Sequence, residues 1–323
     1  LTYRSETKVE HAEYFKIFNY DDGIVLLEID TTKDTARDPD KSGKDTDKKE
    51  NDKKKNNKKS DKKTDKSNDD EKDILEEESG ADSDSSLTTE EDIAALYQEN
   101  VVKYLIVPEE TEIPVGLDKD MIVIQRSDKE EFSAFVSSLD VLGFMDELDE
   151  LDKVTALGAA KEDIEKADKE IASKLDIKEA NDKDSKNDKN AAKDKADQEE
   201  TSDKGAVIAG SGTQPDYKAM VKAKVNIAFF GSELLPKEKD EEELPEEEQE
   251  ERFAEITDKL AVLGIPAVFD RSKDEKSELA KAEWIKVYGA VFGKSEEAEK
   301  LFDAKVKEAK KNDNGVSDEK TDK

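Results

Sequence analysis

The strongest constraint on the fold is a long stretch with nothing to bury. From Thr32 to Asp73 the only apolar side chains are Ala36 and Pro39. The rest is Lys, Asp, Asn, Ser and Thr of both signs, as in KDTDKKENDKKKNNKKSDKKTDKSNDDEKD. Such a segment has no burial to offset the entropy lost on ordering. It continues through Glu76 to Thr89 as an acidic, Ser-rich run. A second tract of the same character spans Asp182 to Lys204, and a third runs from Lys310 to Lys323. A shorter run, Lys237 to Glu251, is almost purely acidic and reads as part loop, part helix start. We therefore expect disordered charged insertions at 32–95 and 182–204 and a disordered tail at 311–323. They account for the composition: 43% of residues are charged and 33% hydrophobic, against about 25% and about 45–50% in an ordinary globular domain. An ordinary core is diluted by solvated chain.

Several classes of function fall away. Lys plus Arg is 54 and Asp plus Glu is 86, a formal net charge of −32. Nucleic acid is therefore not an expected partner, because phosphates need clustered cations. Acids interrupt every basic run, including the one around Lys53-Lys54-Lys55. With no Cys, disulfides, zinc–thiolate sites and thiol catalysis are excluded, and the single His11, read as an exposed surface residue, excludes multi-His metal sites. The acidic runs lack the spacing of a calcium loop. No apolar run reaches the roughly 18 residues of a membrane span. The first residue is Leu1, so we expect a removed upstream segment that carried any signal or lipid anchor.

With the tracts set aside, an α/β pattern remains, predicted at 1–31, 96–181 and 205–310 as one lobe ending in a long helix. Tyr14 to Phe18 and Ile24 to Ile29 flank Asp21-Asp22-Gly23 and read as a β hairpin. Val101 to Val107 is expected to pair with it, leaving the first tract as an insertion in a small antiparallel sheet. Met121 to Ile124 reads as an apolar strand. From Glu131, the series Phe132, Phe135, Val136, Leu139, Leu142, Met145 and Leu148 recurs at helical spacing and predicts one amphipathic helix. Lys153 to Leu157 and Ala206 to Ala209 follow as strands. Pro215 is expected to open a short helix capped by Gln214 or Thr213. Val225 to Phe230 is a strand, Phe253 to Leu263 a helix stopped by Gly264, and Ile265 to Phe269 a strand. Leu279 to Phe292 predicts one further helix, in which Trp284 is a packing residue, and Ser295 caps a last helix to about Glu308. Alternating strands and helices predict a Rossmann-like, parallel, doubly wound sheet flanked by helices. Segments 121–125, 225–230 and 266–269 should lie side by side in it, pointing the same way.

Ligands of such sheets bind beyond the carboxyl ends of the strands. That selects Gln125, Arg126 and Ser127; Gly210, Ser211, Gly212, Thr213 and Gln214; Ser232 and Glu233; and Asp270, Arg271 and Ser272 as candidate ligand-binding residues. The Gly210-Ser211-Gly212 loop lacks the lysine of a phosphate loop and the third glycine of a dinucleotide fingerprint. It is a turn feeding a helix, whose N–H groups suit an anionic or carbonyl ligand. No nucleophile elbow or base is present for Ser chemistry. We expect neither catalysis, cofactor nor resident metal.

The ordered pieces resemble one family. Leu263-Gly264-Ile265-Pro266-Ala267-Val268-Phe269, followed by Leu279 to Lys294 with Ala282-Glu283-Trp284-Ile285-Lys286 inside it, resembles the LGIPV…PLGRAEWIKFYGALFGKE segment of ABC-importer solute-binding proteins for iron–siderophore, haem or cobalamin. Pro215-Asp216-Tyr217 to Phe230, Leu105-Ile106-Val107-Pro108-Glu109 with Gly116-Leu117, Ser137-Ser138-Leu139-Asp140 to Val154, and the opening hairpin with Phe15 are similar to other pieces of that family, in the same order. Together they cover about two-thirds of the chain. The resemblance extends to the helix joining the two lobes, Glu296 to Glu308 here, and no second lobe follows it. The family's permease-docking acid has Lys218 near its place, with Asp216 two residues earlier.

The resemblance implies a substrate-binding component that captures an iron chelate or tetrapyrrole outside the cell membrane. It also implies a lipoprotein anchor, an ABC permease as partner and a second lobe on a C-terminal part beyond this sequence. Arg126 and Arg271 are then expected to pair a ligand carboxylate through guanidinium forks. The competing expectation is a truncated lobe acting as a non-catalytic cell-surface interaction protein.

Overall fold

The computed structural model describes residues 1–32, 100–127, 131–178, 205–237 and 245–315. The insertions expected at 32–95 and 182–204 lie outside them, except Thr32, and so does the tail beyond 315. Apart from Thr32, the described residues cluster as one compact unit.

The first sheet has five strands in the order β1 (Tyr3–Glu6), β2 (Phe15–Tyr20), β3 (Val25–Asp30), β4 (Val101–Val107) and β5 (Ile122–Gln125). The first three pairings are antiparallel and β4–β5 is parallel. The expected hairpin forms, with Asp21–Gly23 as a 3-10 turn. Val101 pairs with Asp30, so the chain leaves β3 and rejoins at β4 from one point.

The second sheet is wholly parallel. Its strands are β6 (Ala134–Val136), β7 (Val154–Leu157), β8 (Val207–Ile208), β9 (Ile227–Phe230) and β10 (Ala267–Phe269). The spatial order is β10-β9-β6-β7-β8, a doubly wound order that reverses between β6 and β9. Helices α1 (Leu139–Glu147), α2 (Lys161–Ala167) and α3 (Lys169–Leu175) cover one face. Helices α4 (Tyr217–Lys222) and α5 (Glu246–Val262) cover the other. Alternate residues divide between the two cores: Ala134, Val136 and Phe229 face one, and Phe135, Ala228 and Phe230 the other.

Three helices close the unit: α6 (Glu278–Glu283), α7 (Ile285–Phe292) and α8 (Ser295–Gly315). Every residue of α7 from Ile285 to Val291 is buried, as befits a helix packed on all sides. It shares one core with Ile17, Leu27 and Ile29 of the first sheet and Phe229 of the second. Trp284 is fully buried with Phe15 edge-on at 5.1 Å, the packing role expected of it.

Five expectations of strand and helix placement are corrected by the fold. Segment 122–125 lies in the first sheet, so it does not stand beside 227–230 and 267–269; β6 holds that place. The helix expected from Glu131 begins only at Leu139, because Ala134–Val136 is a strand. One helix over 279–292 is two, broken at Trp284. The helix after Pro215 begins at Tyr217 with Asp216 as its cap, accepting from the Ala219 N–H at 3.0 Å. The last helix passes Glu308 and takes in 311–315 of the expected tail.

Buried charge fastens the N-terminal segment to α6 and α7. Glu283, without solvent exposure, accepts N–H bonds from Glu10 (3.0 Å), His11 (2.7 Å) and Ala12 (2.9 Å) and pairs with Lys286 at 2.8 Å. Lys286 also donates to the Lys8 carbonyl at 2.6 Å. Burial pushes the Glu283 carboxyl up, but Lys286 and the three N–H groups outweigh it and hold it below the usual range. Glu275 accepts from the Glu13 N–H (3.0 Å) and from Trp284 Nε1 (2.9 Å). His11, expected at the surface, is half-buried with its ring 5.9 Å from that of Phe302.

Candidate functional site

All five strands of the second sheet point the same way, so their carboxyl ends make one edge. A cleft of about 1120 Å³ opens there. Each strand supplies the loop that follows it: Ser137 and Ser138 after β6, Gly158 after β7, Gly210 to Thr213 after β8, Glu233 after β9 and Lys273 after β10. Asp140 from the first turn of α1, and Asp163 and Lys166 from α2, complete the charged lining. The cleft lies over the point where the strand order reverses, the expected place for a ligand in this architecture.

At the reversal Ser137 and Glu233 meet. Ser137 Oγ donates to Glu233 Oε1 at 2.9 Å and accepts from the Gly231 N–H at 3.3 Å. Two glycines lie close to this carboxylate as it is placed. A Cβ on Gly212 would collide with Glu233 Oε1 and lie 2.9 Å from Ser137 Oγ, and one on Gly231 would collide with Glu233 Oε2.

The glycine loop is a turn closed on itself. The Ser211 N–H donates to the Gln214 carbonyl at 3.0 Å, and the Gln214 N–H returns to Ser211 Oγ at 3.0 Å. The N–H groups of Ser211 and Gln214 are thus engaged within the turn. Gly210, Ser211, Gly212 and Thr213 line the cleft, while Gln214 does not.

The loop after β10 packs inward. Asp270 is fully buried, accepting from Tyr288 Oη at 2.6 Å and from Ser272 Oγ at 2.6 Å. Burial pushes its carboxyl up to about 7, against the lowering effect of those two hydroxyls. Arg271 pairs with Asp274 at 2.9 Å, donates to the Asp30 carbonyl at 2.9 Å and lies 3.8 Å from the Tyr14 ring centroid. Ser232 Oγ donates to Asp274 Oδ1 at 2.9 Å. Asp270, Arg271, Ser272 and Ser232 thus brace the loop that presents Lys273 to the cleft; none of them lines it.

Gln125 ends β5 in the other sheet, Arg126 and Ser127 follow it, and none of the three lines the cleft. The Arg126 guanidinium lies against Gly293, the left-handed residue that ends α7, where a Cβ would strike it. A cation at a helix C-terminus is favourably placed. Neither arginine expected to fork a ligand carboxylate lines the cleft. Of the residues read from the sequence, the cleft gathers Gly210, Ser211, Gly212, Thr213 and Glu233. Sequence reasoning missed Ser137, Ser138, Asp140, Asp163, Lys166 and Lys273. The Ser137-Ser138 pair, two turn-favouring hydroxyls between an apolar run and a helix, is the signal available for them.

Among the described residues no group of three or more His, Asp or Glu is placed to hold a metal ion, and no helix is long and apolar enough to cross a membrane. No protein-family model matches the chain, and no curated protein matches it.

Proposed function

We propose that this chain is the ligand-capturing lobe of an ABC importer, taking up an iron chelate or a tetrapyrrole, siderophore, haem or cobalamin, outside the cell membrane. The observation that carries the reading is the cleft of about 1120 Å³ at the reversal point of a doubly wound sheet. Five successive loops line it, and its volume suits a ligand of that size class. The motif order from the opening hairpin to Ala282-Glu283-Trp284-Ile285-Lys286 supports the same reading. Its partners are the membrane permease and a second lobe closing over the cleft, and it acts by capture without chemistry.

Calorimetric titration with ferric siderophores, haem and cobalamin tests this. Heat is preferable to tryptophan fluorescence, because Trp284 is buried in the core and does not line the cleft. We expect saturable binding of at least one class in the micromolar range or tighter. Thr213→Trp, which fills the cleft from its rim, should abolish that binding and leave the melting temperature unchanged. Absence of binding by every class would leave the surface-interaction reading in its place.

A further inference from the structure

We propose that the cleft selects a ligand bearing a protonated amine, and that Glu233 is the residue that reads it. This rests on the capture reading above and narrows its ligand class.

The arginines expected to hold a ligand carboxylate are engaged elsewhere, Arg271 with Asp274 and the Asp30 carbonyl, Arg126 against the end of α7. The charges that do line the cleft are the carboxylates of Asp140, Asp163 and Glu233 against the ammonium groups of Lys166 and Lys273. Acid prevails, inside a chain of net charge −32. A strongly anionic ligand meets repulsion there, and a cationic one is attracted.

Glu233, exposed in the cleft, is the lining acid that a neighbouring loop reaches with a hydrogen bond. Its carboxylate sits over the strand reversal, one oxygen accepting from Ser137 Oγ at 2.9 Å. It is open to solvent in the cleft, with Gly212 and Gly231 beside it. Among the described residues no Lys or Arg forms an ion pair with it. A carboxylate offers about four acceptor positions, and Ser137 fills one. The others suit the N–H groups of an ammonium arm, in a cleft wide enough to hold the chelate body beside it.

The test uses the full chain and three ferric chelates: a linear trihydroxamate with a terminal ammonium, the same chelate N-acetylated, and a triply anionic tris-catecholate. Calorimetry should show the ammonium form bound about tenfold or more tighter than the acetylated form, with the catecholate weakest. Glu233→Gln keeps the size and the Ser137 contact but removes the charge, and should bring the ammonium-to-acetyl ratio close to one. Ser137→Ala, which frees the carboxylate to swing, should reduce the ratio part-way. A preference for the catecholate, or a ratio unchanged in Glu233→Gln, would overturn the inference while leaving capture intact. Binding of none of the three, nor of haem or cobalamin, by a protein with an unaltered melt would overturn the capture reading and this inference with it.

Discussion

Two buried carboxylates behave in opposite ways because their partners differ. Asp270 meets only hydroxyls and one N–H, so burial prevails and its carboxyl rises from an ordinary 3.8 to about 7. The folded protein then keeps a proton over a range in which the unfolded chain has released it. The stability Asp270 contributes is complete below 3.8 and is lost as pH rises through about 7. Asp270→Asn stays neutral throughout. Urea midpoints should therefore fall more steeply between pH 4 and 7 in the wild type than in Asp270→Asn, and parallel curves would count against the assignment. Glu283 instead meets Lys286 and three backbone N–H groups. Its carboxyl is lowered, so its contribution is held above the ordinary carboxylate range and lost on acidification. Glu283→Ala leaves Lys286 buried beside an empty place and should cost about 3–5 kcal/mol by urea denaturation at neutral pH. The segment from Ala282 to Lys286 stands out in the sequence as a motif, and its work is structural: it grips the main chain at 10–12 and places Trp284 in the core.

At the scale of elements, close approach decides the packing of α7 on α8. Gly289 faces Ala298, and a Cβ there would overlap that methyl group and come within 3.1 Å of the Lys294 carbonyl. Gly289→Val should push the helices apart and cost about 1–3 kcal/mol, read as a lower urea midpoint. Leu27 and Phe229, which share a core with α7, should then show faster exchange at their amides. Element boundaries also show how far the sequence is legible. The hairpin, β4, β7, β9, β10 and the end of α5 at Gly264 can be read, because apolar runs end at turn residues. Strand β6 cannot. Its three residues are buried on both faces, so they carry no alternation. Phe132, Phe135 and Val136 also happen to fall in helical step with the true helix from Leu139. That coincidence shifts the expected first strand of the parallel sheet to Met121–Ile124 and takes Arg126 into the expected site with it. The ligand-side charges are illegible for another reason: in an acidic chain, Asp140, Asp163 and Lys166 look like any solvated helix face until the sheet brings them together.

For the molecule as a whole, the departure and return of the chain at its charged tracts matters most. The Thr31 N–H donates to the Asn100 carbonyl at 3.0 Å, and Asp30 pairs with Val101. The Lys178 N–H donates to the Ala206 carbonyl at 2.9 Å. The Lys237 N–H is held by Gln249 Oε1 at 2.8 Å. Each exit is tied to its own re-entry by a hydrogen bond. Joining Thr32 to Glu99 through a four-residue Gly/Asn turn should therefore leave the urea midpoint unchanged or raised, since a shorter closure costs less entropy. A molten product would show that the tract contributes to the core. Such knotted-off gateways predict a body indifferent to whatever is strung between them. A fluorescent barrel or an affinity handle threaded through those ports should leave the fold intact.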